Sequence, residues 1–378
     1  MTGLTAERRT LLLVSALYAA VIVVLRWNHI GDVAHEIALA DRLLAGQSLY
    51  GTVTPGQGSL WPPFAAIALI PFALLSRISL QLATAAWSVF GVACLGASVL
   101  LASRWGWKAA ILALLAVAMP VQTNFEHHNV NTVLLALVMA GAVDLDANHE
   151  RRAGVWFGLA AALKAFPALL LVALALRRRW RAFATGLVVA LVATLLPLLP
   201  YGPTGAVAEI RAWLSVGLDP GQWQLATSDQ SMRSLGVRLG LPTTVALILS
   251  VIPIGLFVLI SLRRKASDLM SIGAASLAAV MAAPLAWVHY YVLAYPAWIA
   301  ARSQAAGGPP QTAEGGDPAV KAGSRLLWIV AATATSGLLT VGQGPIRCAL
   351  LGASAYAWGG LLLLILLATM RPRPEETE

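Results

Sequence analysis

The sequence predicts an all-α protein that crosses a membrane many times. Of its 378 residues, 58% are hydrophobic and only 11% are charged, the mean hydropathy is +0.75, and apolar runs recur along the whole chain. The core of a soluble domain of this length does not need so many apolar residues. The spans must be helices, because lipid cannot satisfy exposed backbone groups. We therefore expect one integral-membrane domain over residues 1–378, with about 11–12 helical membrane segments.

The distribution of charge argues against nucleic-acid binding, although the net charge is +9. Basic residues cluster at the ends of apolar segments, which is typical of positive-inside topology and of attraction to anionic lipid. With Arg8 and Arg9 in the cytoplasm, the alternation of segments places 18 of the 26 Lys and Arg residues inside, seven outside and Lys164 in the membrane. The first apolar segment, Thr10–Leu25, resembles a signal peptide but lacks a clean cleavage site, so we expect a retained anchor.

The first outer loop, residues 27–63, contains acids, two histidines and turn-forming residues. A helix is predicted over Gly31–Ala45, ended by Gly46. Asp32 and Glu36 fall off its apolar face, where they can point into an aqueous cavity. The apolar face, suited to the membrane surface, is formed by Val33, Ile37, Ala40 and Leu44.

The remaining apolar segments alternate across the membrane. Phe64–Leu75 has only about a dozen residues, short of the roughly 20 needed to cross, so we expect it at the membrane surface or partly inserted. A second outer loop is predicted at 201–241 and a flexible cytoplasmic linker at 303–324. The other expected segments are Leu80–Ser103, Ala109–Val121, Thr132–Val143, Ala182–Pro200, Thr243–Leu262, Leu269–Pro284, a short span ending at Ala301, Leu326–Val341 and Cys348–Met370.

One segment, Ala153–Leu176, has cytoplasmic-type basic clusters on both sides. A single crossing would leave one cluster outside. The sequence Lys-Ala-Phe-Pro at 164–167 divides the segment into two halves. We therefore expect a short broken hairpin whose tip carries Lys164, lining a cavity or buried in protein.

Asp32 and Lys164 are the strongest candidates for chemistry. Asp32 is either the N-cap of its helix or a catalytic acid, and the two roles are compatible. Glu36 is either a solvated or hydrogen-bonded helix acid or a second catalytic group, and we include it among the candidate substrate contacts. Lys164 either snorkels to a boundary or binds an anion, for which a phosphate is the natural partner.

Other polar clusters supply further candidates for substrate binding. His289 is either part of an interfacial aromatic belt or a substrate contact. Arg233 either binds phosphate or is an ordinary loop residue. Adjacent histidines are poor helical chelators, so His127 and His128 do not indicate a metal site. We include as candidate contacts His128, Asn131, Gln230, Trp287 and Tyr290.

Two other classes of protein also fit these features. A secondary transporter or flippase of a lipid-linked sugar would also have a broken helix and an intramembrane lysine. The halves of the chain show no obvious repeat, however, and the acidic outer loop favours an enzyme. A non-catalytic assembly subunit would not need so many candidate site residues.

Several of these residues lie in blocks that resemble glycosyltransferase family 87, over roughly residues 31–296. One departure is Asp229, where family members often have Asn. The blocks are G-D-x8-D-R-L-L-A-G-Q-S-L-Y from Gly31, W-P-P-F at 61–64, I-P-F-A-L-L at 70–75, G-L-A-A-A-L-K-A-F-P at 158–167, R-R-R-W-R-A at 177–182, D-Q-S-M-R-S-L-G at 229–236 and P-L-A-W-V-H-Y-Y at 284–291.

The resemblance implies the C-type glycosyltransferase fold and a plasma-membrane enzyme with an extracytoplasmic active site. It implies transfer of a sugar, expected to be mannose, from a polyprenyl-phosphate donor to a hydroxyl of a cell-envelope glycolipid or glycan, without a cofactor. By motif, Asp32 resembles the family's catalytic aspartate, His289 the histidine of the W-x-H block and Lys164 the lysine of the K-x-x-P block. Asp32 would act as general base in an inverting displacement. Lys164, Arg233 and His289 would then stabilise the leaving phosphate.

Overall fold

The computed structural model describes residues 5–51, 59–219, 226–264, 266–306, 329–335 and 344–370. Within these ranges every regular element is helical, which confirms the predicted all-α architecture. Residues 329–335 are also helical. The named α-helices are α1 (Ala6–Arg26), α2 (Asp32–Leu44), α3 (Phe64–Ala68), α4 (Ile70–Ser76), α5 (Leu80–Ala102), α6 (Trp107–Leu115), α7 (Ala118–Glu126), α8 (Asn131–Asp146), α9 (Glu150–Leu163), α10 (Leu169–Leu176), α11 (Trp180–Leu195), α12 (Gly202–Leu218), α13 (Met232–Arg238), α14 (Thr243–Ile248), α15 (Val251–Leu262), α16 (Asp268–Ala282), α17 (Tyr295–Ala306), α18 (Pro345–Gly352) and α19 (Ala355–Thr369).

Few of these helices are long enough to cross a membrane unaided. Two bent pairs also qualify, α6 with α7 at 62° and α18 with α19 at 53°, so the described ranges hold four to six candidate spans. Most of the predicted segment Leu326–Val341 lies outside the described residues. The other predicted segments form helices shorter than a full span. The four continuous spans are Ala6–Arg26, Leu80–Trp105, Trp180–Leu218 and Thr243–Leu262.

Both predicted outer loops contain helix. α2 lies in the loop 27–63 and ends in a Schellman motif, in which Gly46 (φ +64°) and Gln47 donate to Leu43 and Arg42. The predicted loop 201–241 contains more helix than expected, because α12 continues the helical run that begins at Trp180. Of the predicted linker 303–324, the first residues complete α17, and the rest lies outside the described residues.

The hairpin predicted around Lys164 is present. α9 ends at Leu163, Lys164 is extended (φ −150°, ψ 133°), and a 3-10 turn at Phe166–Ala168 leads into α10. The two helices of the hairpin also meet at the end opposite the tip, where Arg179 Nη1 lies 3.4 Å from Glu150 Oε1. Lys164 is therefore at the tip, away from both basic clusters.

Charged residues at the predicted inner ends of the helices gather on one side of the bundle. Arg104, after α5, pairs with Asp146 at the end of α8 at 3.1 Å. Arg179, after α10, pairs with Asp268 at the start of α16 at 2.7 Å. These contacts agree with the arrangement that the positive-inside pattern predicts.

The centre of the bundle is α16. From Leu269 to Met281 every residue is buried, as expected for a helix that is apolar on all sides. Gly273 permits the close approach of α17, since a Cβ there would lie 2.7 Å from Ala297 Cα. After α16, the chain turns through residues 283–287 into a 3-10 helix, Val288–Ala294, which carries His289 and Tyr290 to the hairpin tip.

Candidate active site

Asp32 is the first residue of α2, and Gly31 is its N-cap. The carboxylate does not cap its own helix. It accepts a hydrogen bond from Asn129 Nδ2 at 2.6 Å, while the backbone N–H of Asp32 donates to His127 O at 2.8 Å. A Cβ at Gly31 would lie 2.4 Å from that carbonyl oxygen. Glycine therefore lets the α7–α8 turn, residues 127–130, pack against the start of α2, whose dipole favours a negative charge at Asp32.

Asn129 joins Asp32 to Lys164. Its Oδ1 accepts from Lys164 Nζ at 3.3 Å, from Val130 N at 2.8 Å and from Asn131 Nδ2 at 3.0 Å. One buried amide therefore lies between the carboxylate and the ammonium group. Asn129 was not among the predicted site residues, although its position directly after His127 and His128 and two residues before Asn131 could have indicated it.

Lys164 is 5% exposed and lies among aromatic rings. Its Nζ is 3.8 Å from the ring centroid of Tyr290, 5.6 Å from that of Phe166 and 5.7 Å from that of Trp61. Phe166 and Tyr290 stack on each other at 5.4 Å. The rings stabilise the cation without neutralising it, so Lys164 can still attract an anion. Trp61 is a further site residue that the sequence analysis did not name.

His289 and His127 bring two more imidazoles to this group. Their ring centroids are 5.3 Å apart, and His289 also meets the Tyr290 ring edge-on at 5.1 Å. His289 is 3% exposed, and within the described residues its Nε2 has no hydrogen-bond partner. An unpartnered polar atom in a buried position is available to a substrate.

His128 lies in the same turn, and its side chain is held by Ser88. Ser88 donates its hydroxyl proton to Thr84 O and so accepts from His128 Nδ1 at 2.9 Å. Burial, together with His29 and Arg26, lowers the pKa of His128 to about 4, so its imidazole is neutral at physiological pH.

Glu36, predicted to face an aqueous cavity, is instead buried at 6% exposure and accepts a hydrogen bond from the Ser59 hydroxyl. Helical periodicity predicted which face of α2 carries Glu36. It could not predict that Ser59, before α3, would pack against that face. Burial raises the pKa of Glu36 to about 8, against the opposing effects of the Ser59 bond and of Lys164. At neutral pH the carboxyl is mostly protonated and can donate a hydrogen bond.

The candidates of the second outer loop lie in a separate network. Arg233 pairs with Asp229 at 2.8 Å and donates to Pro284 O at 2.7 Å. Gln230 is 0% exposed and donates through Nε2 to Thr227 O and Leu351 O, both at 3.0 Å. These groups hold the loop in place, so the structure does not present Arg233 as a free cation for phosphate.

The remaining two candidates are also positioned by backbone and amide contacts. Trp287 forms an isolated antiparallel bridge with Asp229, which joins the second loop to the His289 segment. Asn131 is buried at the start of α8, and its Oδ1 has no hydrogen-bond partner among the described residues. Across the same residues, no group of three or more His, Cys, Asp or Glu side chains is arranged to hold a metal ion.

The cluster therefore contains the groups that a displacement reaction needs. Asp32 offers a carboxylate oxygen that can accept a proton. Lys164 offers a positive charge, and His289 offers a ring nitrogen with no protein partner. The rings of Trp61, Phe166 and Tyr290 surround the Lys164 ammonium group with apolar surface.

Comparisons with known proteins extend this description. One relative is the polyprenol-phosphate-mannose-dependent alpha-(1-2)-phosphatidylinositol mannoside mannosyltransferase of Mycolicibacterium smegmatis (strain ATCC 700084 / mc(2)155). It is 33% identical to this chain over 185 residues, and the match covers 40% of this chain and 41% of that protein. The match thus spans about two fifths of the length of this relative.

Two crystal structures of ArnT from Cupriavidus metallidurans align with the chain. The structure bound to undecaprenyl phosphate gives a TM-score of 0.46 at 18% identity and covers 94% of this chain and 76% of that one. The apo structure gives 0.41 at 16% identity, with 96% and 77% covered. Because both TM-scores are below 0.5, the assignment of the chain to a family rests on the sequence comparisons.

The family comparison covers more of the chain. The family model for glycosyltransferase family 87 matches residues 59–286, which is more than half of the 378 residues. The matched range includes Asn129, Lys164 and Arg233, and Asp32 and His289 flank it. The chain belongs to glycosyltransferase family 87.

Proposed function

We propose that this protein transfers a sugar, most simply mannose, from a polyprenyl-phosphate donor to a hydroxyl of a glycolipid or glycan of the cell envelope. Family membership supports glycosyl transfer, and the name of the mycobacterial relative supports a polyprenol-phosphate-mannose donor. The observation that carries the proposal is the placement of Asp32 and Lys164 on opposite atoms of the Asn129 amide, at 2.6 and 3.3 Å.

The reaction proposed is a single inverting displacement with Asp32 as general base. The acceptor hydroxyl attacks the anomeric carbon, its proton passes to Asp32, and the bond from that carbon to the phosphate oxygen breaks, so polyprenyl phosphate leaves. A β-linked donor would give an α-glycoside. Asp32 Oδ2 is held by Asn129, and no described residue donates to Oδ1. We therefore assign proton transfer to Oδ1, within about 3 Å of the hydroxyl.

The leaving phosphate is assigned to Lys164 and His289. Lys164 supplies a positive charge near Asp32, and the rings around it exclude water, which strengthens its attraction for an anion. His289 Nε2 has no partner among the described residues and would bond the phosphate or a sugar hydroxyl. Arg233 is already paired with Asp229, so we assign it to the support of the loop.

The site is proposed to face the extracytoplasmic side of the plasma membrane. Basic residues concentrate at the opposite end of the bundle, where Arg104 and Arg179 make their ion pairs. The positive-inside rule assigns that end to the cytoplasm. Membrane lipids and the polyprenyl chain of the donor would surround the apolar helices.

The experiment is to incubate the purified protein with polyprenyl phosphomannose and a panel of glycolipids that includes phosphatidylinositol mannosides, and to identify products by mass spectrometry. We expect a product one hexose heavier than its acceptor, absent with Asp32→Asn. If the protein instead moves the intact donor across a vesicle bilayer and forms no glycoside, it is a flippase and the proposal fails.

A further inference from the structure

We infer that Asn129 is a positioning residue that fixes the orientation of the Asp32 carboxylate by donating a hydrogen bond to Oδ2. The inference rests on the proposed function, because it takes Asp32 as the base. Asn129 lies in the α7–α8 turn, not in either of the segments that carry Asp32 and Lys164, so it has to be placed between them by the fold.

The orientation of the Asn129 amide follows from its partners. The backbone N–H of Val130 can only donate, and it lies 2.8 Å from the atom assigned as Oδ1. The ammonium group of Lys164 can also only donate, at 3.3 Å from the same atom. The oxygen must therefore face these two donors. The amide nitrogen is left to face Asp32 Oδ2 at 2.6 Å.

In this orientation the Asn129 amide donates a hydrogen bond to the Asp32 carboxylate. An amide N–H that donates to a carboxylate stabilises its charge, and Lys164 on the other side of the amide polarises that N–H further. The two oxygens of Asp32 therefore have different roles. Oδ2 is anchored by Asn129, and Oδ1 stays open toward the substrate.

Other charged and titratable groups also act on Asp32. Glu36 on the same helix and Lys164 at the hairpin tip both interact with its charge. His128 and Tyr290 interact with it from the α7–α8 turn and the 3-10 helix. Because none of these side chains is hydrogen-bonded to Asp32, Asn129 is its direct side-chain contact among the described residues. Arg26, His29 and His127 act in turn on His128, and His127 also acts on His289.

The decisive variant is Asn129→Asp, which keeps the size of the side chain and replaces the donor to Asp32 by a carboxylate oxygen. Two carboxylates in contact cannot both ionise easily, so the pair holds a proton to higher pH. We expect the acid limb of the kcat profile, measured with polyprenyl phosphomannose and the acceptor identified above, to move upward by about one pH unit or more. A purely structural defect would lower kcat without moving this limb.

Asn124→Asp is the matched control. Asn124 lies in α7 just before the same turn, is buried, and uses its Oδ1 to accept from the backbone and side chain of Asn131. The substitution keeps an acceptor oxygen and adds the same charge without touching Asp32. We expect the acid limb of this variant to coincide with that of the wild type.

A second readout does not depend on transfer. The Asn129→Asp protein should lose more thermal stability at about pH 8 than at about pH 5, because the added carboxylate is forced to ionise beside Asp32 as the pH rises. The double variant Asp32→Asn with Asn129→Asp restores one amide and one carboxylate. It should recover most of the stability lost at the higher pH while remaining inactive.

An unmoved acid limb in an active Asn129→Asp protein, or a double variant no more stable than Asn129→Asp, would overturn the inference. If the wild-type protein transfers no sugar, the proposed function fails by itself. The stability comparison of the two variants still decides in that case whether Asn129 and Asp32 form the pair.

Discussion

Two buried polar networks lie near the predicted outer side, and they differ in how completely their hydrogen-bonding groups are used. In the second loop, Asp229 accepts from Arg233, Ser231 N and Ala286 N, so both of its oxygens are occupied. Gln230 likewise uses both ends of its amide, with Tyr356 N donating to Oε1 at 3.3 Å. This network is complete within the protein.

The network around Asp32 is incomplete. Within the described residues, Asp32 Oδ1 receives no donor, and the buried atoms His289 Nε2 and Asn131 Oδ1 have no partner. Leaving each of these two buried atoms unpaired costs roughly 1–3 kcal/mol, whereas Asp32 is only half-buried. A polar network that is buried but unsaturated is suited to receive a ligand, whereas a saturated one stabilises the fold. The four predictions that follow test this distinction, from the largest expected effect to the smallest.

Asp32→Asn should reduce kcat for sugar transfer by about 10³-fold, within the range for loss of a general base. The thermal stability should change little, because the Asn side chain can still accept from Asn129 Nδ2. The measurement is the steady-state rate with polyprenyl phosphomannose beside a thermal melt. A variant that unfolds would mean that Asp32 is structural.

Arg233→Ala should destabilise the protein by about 3–5 kcal/mol, because Asp229 would be left buried without its cation. The fraction that remains folded should keep the donor KM of the wild type. Reversible unfolding in detergent and kinetics on the folded fraction test this pair of expectations. A normal stability with a raised donor KM would assign Arg233 to the phosphate instead.

Lys164→Ala should raise the donor KM by about tenfold or more, the equivalent of roughly 1.4 kcal/mol of lost attraction for the phosphate. Its stability should not fall, since the variant removes a buried charge that has no carboxylate in direct contact. Lys108→Ala is the matched control, because Lys108 is exposed at the start of α6. Equal donor KM values in the two variants would remove Lys164 from the donor site.

Glu36→Gln should change the pH dependence of stability. The pKa of Glu36 is raised to about 8 in the folded protein, so the folded state holds a proton that the unfolded state releases from its ordinary pKa of 4.5 upward. Between these values wild-type stability falls as the pH rises. The Gln variant should lose this contribution to the slope, as measured by melts across that range, and identical slopes would show that Glu36 titrates normally.

Much of this arrangement could be predicted from the sequence. Basic clusters on both sides of 153–176 required a hairpin, and the hairpin tip brings Lys164 to the outer loop. The family motifs marked Asp32, Lys164 and His289, and the structure gathers them into one cluster. Their roles in transfer remain predictions.

Other features depend on tertiary contacts that no local pattern contains. Asn129 lies next to two histidines in the sequence, but its position in the site is set by hydrogen bonds to Asp32 and Lys164, which are 97 and 35 residues away. Glu36 is buried and hydrogen-bonded to Ser59, which lies 23 residues away in the chain and outside the helical pattern of α2. The Asp229–Arg233 pair is different, because its i, i+4 spacing was visible and could have suggested an ion pair.

The most direct test of the central claim compares two Asp-to-Asn substitutions, Asp32→Asn in the unsaturated network and Asp229→Asn in the saturated one. The measurement is sugar transfer from polyprenyl phosphomannose per folded molecule, with folding measured in the same samples. We predict that Asp32→Asn folds normally and transfers sugar about 10³-fold more slowly than the wild type, whereas Asp229→Asn folds poorly but its folded molecules transfer sugar. Full transfer by Asp32→Asn, or a well-folded but inactive Asp229→Asn, would contradict the account.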